Sequence, residues 1–85
     1  MKTYTFIYGN SDIYGKINAE VSQEEEDLMI QVIKRHFDNL EDDSDLAALR
    51  KRIFSQIAER EPVTEDDILW IHFPYDLVER VMYGK

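Results

Sequence analysis

Residues 2–8 and 13–21 alternate in character at a period of two, on either side of the turn-forming tetrad Gly9-Asn10-Ser11-Asp12. In the first run Tyr4, Phe6 and Tyr8 point one way and Thr3, Thr5 and Ile7 the other. In the second, Ile13, Gly15, Ile17, Ala19 and Val21 oppose Tyr14, Lys16, Asn18 and Glu20. Strict alternation with β-branched and aromatic side chains denotes strands. Two such runs flanking a turn cluster denote a β-hairpin, which leaves the rest of the chain to cover its apolar face.

The period then changes. Ser22 followed three residues later by Glu25 is a capping box, and Glu24 to Asp27 place negative charge on the positive end of a helix dipole. Leu28, Met29, Val32, Ile33, Phe37 and Leu40 fall on one helical face, which predicts a helix over about 23–40. After the break Glu41-Asp42-Asp43-Ser44, a second helix carries Leu46, Leu49, Ile53, Phe54 and Ile57. It ends near Glu61, because a proline at 62 disfavours helix in the residue before it. So short a connection predicts an antiparallel helical hairpin.

Residues 67–73, Asp-Ile-Leu-Trp-Ile-His-Phe, are rich in β-branched and aromatic side chains and predict a third strand. A helix capped by Thr64 competes for the segment, but Pro74 would cut it short. Pro74 suits the first turn of a final helix, with Leu77, Val78, Val81 and Met82 as its stripe, Asp76 and Arg80 as an i,i+4 pair, and Gly84 as its stop. The reading is a single α+β domain over residues 1–85, order ββααβα, with a three-stranded sheet against the helical hairpin. If each helix runs the length of the sheet, strand 3 starts where strand 2 ends. It is then antiparallel to strand 2 and parallel to strand 1. The charges on strand 2 suit an edge, which favours the order 2-1-3 over 1-2-3.

The chain has no cysteine, so no disulfide braces it and no thiolate zinc site exists. The start shows no signal-peptide pattern and the longest apolar run, Ile68 to Ile71, is too short for a bilayer. A cytoplasmic protein is expected. The formal net charge of −8 opposes nucleic-acid and anionic-membrane binding and is compatible with a basic protein partner. Eleven of the eighteen acids lie in 24–27, 41–45 and 65–67. That pattern is expected of helix starts, and intervening Lys34, Arg35, Arg50, Lys51 and Arg52 interrupt the strip a phosphate mimic needs.

Motifs for chemistry are sparse. Residues 38–45 have the composition of a calcium loop, yet Leu40 stands at the third position and no glycine at the sixth. His36 and His72 lack metal-ligand spacing, no G-x-S-x-G occurs, and three glycines make no phosphate loop. No catalytic residue, metal ligand or cofactor is assigned. The expected function is that of a non-catalytic protein-interaction or regulatory module, of inhibitor or immunity type. Alternatives are a small enzyme or ligand-binding protein whose pocket forms between subunits, with His36 or His72 beside a carboxylate, and an acidic nucleic-acid mimic.

The hairpin's second face locates the expected interface. If Tyr4, Phe6 and Tyr8 face the helices, Thr3, Thr5, Ile7 and Tyr14 face away. Either Ile68, Trp70 and His72 or Leu69, Ile71 and Phe73 join them. Both sets are apolar enough to need cover, from the C-terminal helix or from a partner. Thr3, Thr5, Tyr14, Trp70, Ile71 and His72 are the candidate partner-binding residues. Residues 68–73 also form an edge without lysine, internal proline or inward charge, which predicts a two-fold homodimer by strand pairing.

Overall fold

The computed structural model describes residues 1–10, 12–35 and 46–84. Strands β1 (Lys2–Gly9) and β2 (Tyr14–Val21) form the hairpin. They are followed by α1 (Gln23–Lys34), α2 (Ala47–Arg60), β3 (Trp70–His72) and α3 (Tyr75–Tyr83). The fold is α+β, in the order ββααβα, with sheet order β2-β1-β3.

Asn10 builds the hairpin turn. Its side-chain oxygen accepts from the N–H groups of Asp12 and Ile13, both at 2.7 Å, while its own N–H donates to the Ile13 carbonyl at 2.9 Å. An Asx turn of this kind explains asparagine at the bend. The register pairs Tyr4 with Ala19, Phe6 with Ile17 and Tyr8 with Gly15. Even-numbered residues of β1 and odd-numbered residues of β2 therefore share the face turned to the helices. Phe6, Ile17 and Val21 are buried there with Met29, Ile33, Ile53, Ile57, Ile71 and Leu77.

Helix α1 starts where its capping box lies. The Ser22 hydroxyl accepts from the Glu25 N–H at 3.1 Å, and the Glu25 carboxylate accepts from the Ser22 N–H at 2.9 Å. It closes at Lys34, and residues 36–40 of the expected helix lie outside the described residues. Arg35 is its cap, with an N–H that turns to the Val32 carbonyl at 3.0 Å, a tighter closing turn. Phe37, Leu40 and the break between the helices, hence the turn of the expected helical hairpin, lie outside the described residues. Helix α2 ends before Pro62 as expected, with the Glu61 N–H on the Ile57 carbonyl. Helix α3 follows Pro74 and closes on Gly84, whose φ of 69° is the left-handed cap that glycine adopts without a Cβ penalty.

Two expectations need correction. Strand β3 spans three residues rather than seven. Glu65–Asp67 form a single 3-10 turn, in which the Asp67 carboxylate accepts from the Thr64 N–H and hydroxyl. The capping signal at Thr64 was therefore real, but it opens one turn. Strand β3 is also antiparallel to β1, with Ile7 opposite His72 and Gly9 opposite Trp70. The reason is the path of α2. Arg52 reaches the Glu20 carbonyl and Arg60 the Lys16 carbonyl, so α2 runs against β2 and delivers the chain to the hairpin-turn end. There the Leu69 N–H meets the Gly9 carbonyl at 3.0 Å, and the Asn10 side-chain amide holds the Asp67 carbonyl. The third acidic tract accordingly sits beside the hairpin turn, away from the first. Helix α3, one of the two covers considered for the second face, packs against α1 with Leu77 in the core.

The two caps differ in what depends on them. Ser22→Ala removes the cap of a twelve-residue helix and should cost about 1 kcal/mol. Thr64→Ala should cost at most about 0.5 kcal/mol, since the Thr64 N–H still holds Asp67. Urea melts of both variants measure the difference, and equal losses would contradict the single-turn geometry.

Candidate interaction face

The outer face of the sheet is organised by rungs. Tyr14, Gly9 and Trp70 lie side by side across β2, β1 and β3, and the next rung is Lys16, Ile7 and His72. Because Gly9 has no side chain, the flanking rings meet over it. Tyr14 and Trp70 approach edge to face, with centroids 6.2 Å apart at 62°. A Cβ on Gly9 would stand 2.9 Å from the Trp70 ring and 2.5 Å from the Ile13 carbonyl, so glycine is required. His72 lies along the other side of Trp70 at 4.6 Å. Trp70, His72 and Ile7 are half-buried, whereas Tyr14 is 67 % exposed.

Beyond these rungs the face turns polar. Thr3 and Thr5 are exposed, and the Thr5 hydroxyl donates to the Asn18 side-chain oxygen at 2.7 Å. Thr3, Thr5, Tyr14, Trp70 and His72 thus occur together on one face, which the alternation implied for Thr3, Thr5 and Tyr14. Ile71 does not join them. It lies opposite Tyr8, is fully buried and belongs to the core. Alternation could not choose between the two faces of strand 3, because both read as apolar.

One cluster on the other side escaped the sequence reading. Glu26 is buried and gathers donors from β1 and from its own helix. The Tyr4 hydroxyl lies at 2.6 Å, the Lys2 ammonium at 3.2 Å and the Gln23 amide at 3.4 Å. Arg80 of α3 stands 3.8 Å from the carboxylate and donates to the Tyr4 hydroxyl at 3.2 Å. The Tyr4 hydrogen bond above all, opposed by burial and helped by Lys2, holds the Glu26 carboxyl below the usual carboxylate range. Burial first, then the bond to Glu26, pushes the Tyr4 phenol up. A carboxylate kept ionised and a phenol kept protonated are not poised to exchange protons at neutral pH. Their joint action is to tie β1, α1 and α3 together. The signal was present: Glu26 precedes Met29 by three and Ile33 by seven, on the apolar stripe, and Lys2 shares the parity of Tyr4 and Phe6.

Other acids are also engaged internally. Glu25 takes both arms of the Arg52 guanidinium at 2.8 Å, which leads the lowering of its pKa, and Glu65 pairs with Arg50 at 2.7 Å. Among the described residues no group of three or more His, Asp or Glu is placed to hold a metal ion. His36 and the 38–45 segment lie outside those residues. No described helix is long and apolar enough to cross a membrane. Comparison with protein families, curated proteins and solved structures finds no match.

Proposed function

We propose that this chain is a non-catalytic protein-interaction module, and that its partner sits on the outer face of the sheet around Tyr14, Trp70 and His72. The observation that carries the reading is the disposition of the layers. The core side of the sheet is covered by α2 on β2 and by α1 with α3, while the outer side presents an aromatic cluster held in place by Gly9. Tyrosine and tryptophan are the residues enriched at interface centres, because each buries a large area at small entropic cost. Regulatory, inhibitor and immunity-type roles all fit such a module. The net charge of −8 favours a basic partner by steering encounter.

The homodimer is a weaker occupant of strand β3 than the sequence suggested. A three-residue edge offers few backbone groups, and Ile71 points into the core. The test is affinity capture from native lysate with the wild-type protein and with a Tyr14→Ser/Trp70→Ser variant shown to be folded by circular dichroism. A protein retained by the first and lost by the second is expected. Identical captures would overturn the reading. Light scattering on both identifies the case in which the partner is a second copy.

A further inference from the structure

We propose that the partner supplies an extended strand that pairs with the open edge of β1 at Thr3 and Thr5; this deepens the interaction reading above and rests on it. Backbone parity locates the edge. Successive residues of an antiparallel strand direct their N–H and C=O groups to opposite sides. The Asn10 N–H bonds toward β2, at Ile13, and the Gly9 carbonyl bonds toward β3, at Leu69. Odd-numbered residues of β1 therefore direct their backbone groups away from β2. Strand β3 ends at His72, opposite Ile7. The backbone groups of Thr5 and Thr3 come next along this side, and among the described residues no strand or side chain meets them.

The other edges are less open to a strand. On β2 the outward backbone groups are those of Tyr14, Lys16, Asn18 and Glu20, and the carbonyls of Lys16 and Glu20 are occupied by Arg60 at 3.1 Å and Arg52 at 2.9 Å. This also confirms the parity independently. On β3 the edge is three residues long. Charge is one of the usual protections of an edge, and neither Thr3 nor Thr5 carries any. Beside this edge is a groove of about 290 Å³, with Thr3, Thr5, Ile7 and Lys16 on the sheet side and Pro74, Tyr75 and Asp76 on the other. Its shape and its unbonded amides suit a short extended segment, which would continue the line of β3. Main-chain hydrogen bonds would supply affinity and alternate side chains specificity. Asp76 on the helical wall, together with the negative charge of the whole chain, selects a lysine or arginine beside that wall, and Lys16 confines it there by disfavouring a cation on the sheet side.

The probe is a peptide selected from a random-sequence display library panned against the intact protein. In the free protein the amides of Tyr4 and Phe6 should exchange slowly and those of Thr3 and Thr5 quickly. With peptide bound, Thr3 and Thr5 should become protected. N-methylating the peptide at residues that face the edge should weaken binding about tenfold each, and methylating the alternate residues should not. Thr3 and Thr5 amides already slow in the free protein would overturn the proposal. So would a library that yields no peptide protecting them. Peptides that instead lose binding on Trp70→Ser, with Thr3 and Thr5 still exchanging quickly, would overturn strand addition and leave the aromatic face as the docking surface.

Discussion

Ile71→Lys is expected to unfold the protein, and Trp70→Lys, one residue earlier on the same strand, to leave it folded. The Ile71 side chain is fully buried opposite Tyr8, between the sheet and the helices. Its loss removes packed apolar area, and an ammonium in its place has no acceptor to meet it. A cost of about 4–5 kcal/mol or more is expected. That consumes much of the roughly 4–13 kcal/mol that a domain of this length possesses. Trp70 lies on the outer face and is half-buried. A lysine there loses the ring contacts with Tyr14 and His72 but can extend its charge to water, so about 1–2 kcal/mol is expected. Urea melts followed by circular dichroism distinguish the two. Equal costs would contradict the facing of β3 on which the interaction reading depends. Ile71 is therefore no probe of dimerisation, although an outward Ile71 would have made it one.

Tyr4→Phe should destabilise the protein by about 2 kcal/mol at neutral pH, because it removes a hydrogen bond to a buried, ionised carboxylate. The penalty should shrink in acid. The folded-state pKa of Glu26 is held below its unfolded value. Its contribution is thus complete above the unfolded pKa and is lost as pH falls through the folded one. Without the Tyr4 hydroxyl the folded pKa rises, so the variant loses stability at higher pH than the wild type, and the two converge once Glu26 is protonated in both. Tyr14→Phe is the control, since Tyr14 is exposed and remote from Glu26. Denaturant melts at a series of pH values measure both. A penalty for Tyr4→Phe that does not diminish below the carboxylate range would contradict the coupling to Glu26.

Several elements were legible because their causes are local. The hairpin follows from alternation around Asn10, the start of α1 from Ser22 and Glu25, the end of α2 from Pro62, and the end of α3 from Gly84. The partition of the hairpin into two faces was legible for the same reason, and it brought Thr3, Thr5 and Tyr14 to one surface. The capping signal at Thr64 was legible too, but a cap does not state how long its helix will be. Glu26 was misread because an acid near a helix start has an adequate local explanation, which hides its place on the apolar stripe.

Sequence alone determined the order of elements, the hairpin and its alternation, the principal caps and the absence of disulfide or thiolate-metal bracing. Each depends on a few neighbouring residues or on a residue type the chain lacks. Tertiary structure decided the direction of β3, the face on which Trp70 and His72 lie, the burial of Glu26 and the open edge at Thr3 and Thr5. Those outcomes rest on contacts between distant residues, such as Arg60 with Lys16, Tyr4 with Glu26 and Arg80 with Tyr4 across 76 positions. Such contacts form only when separate elements meet, and their energies depend on burial and geometry that no local pattern encodes.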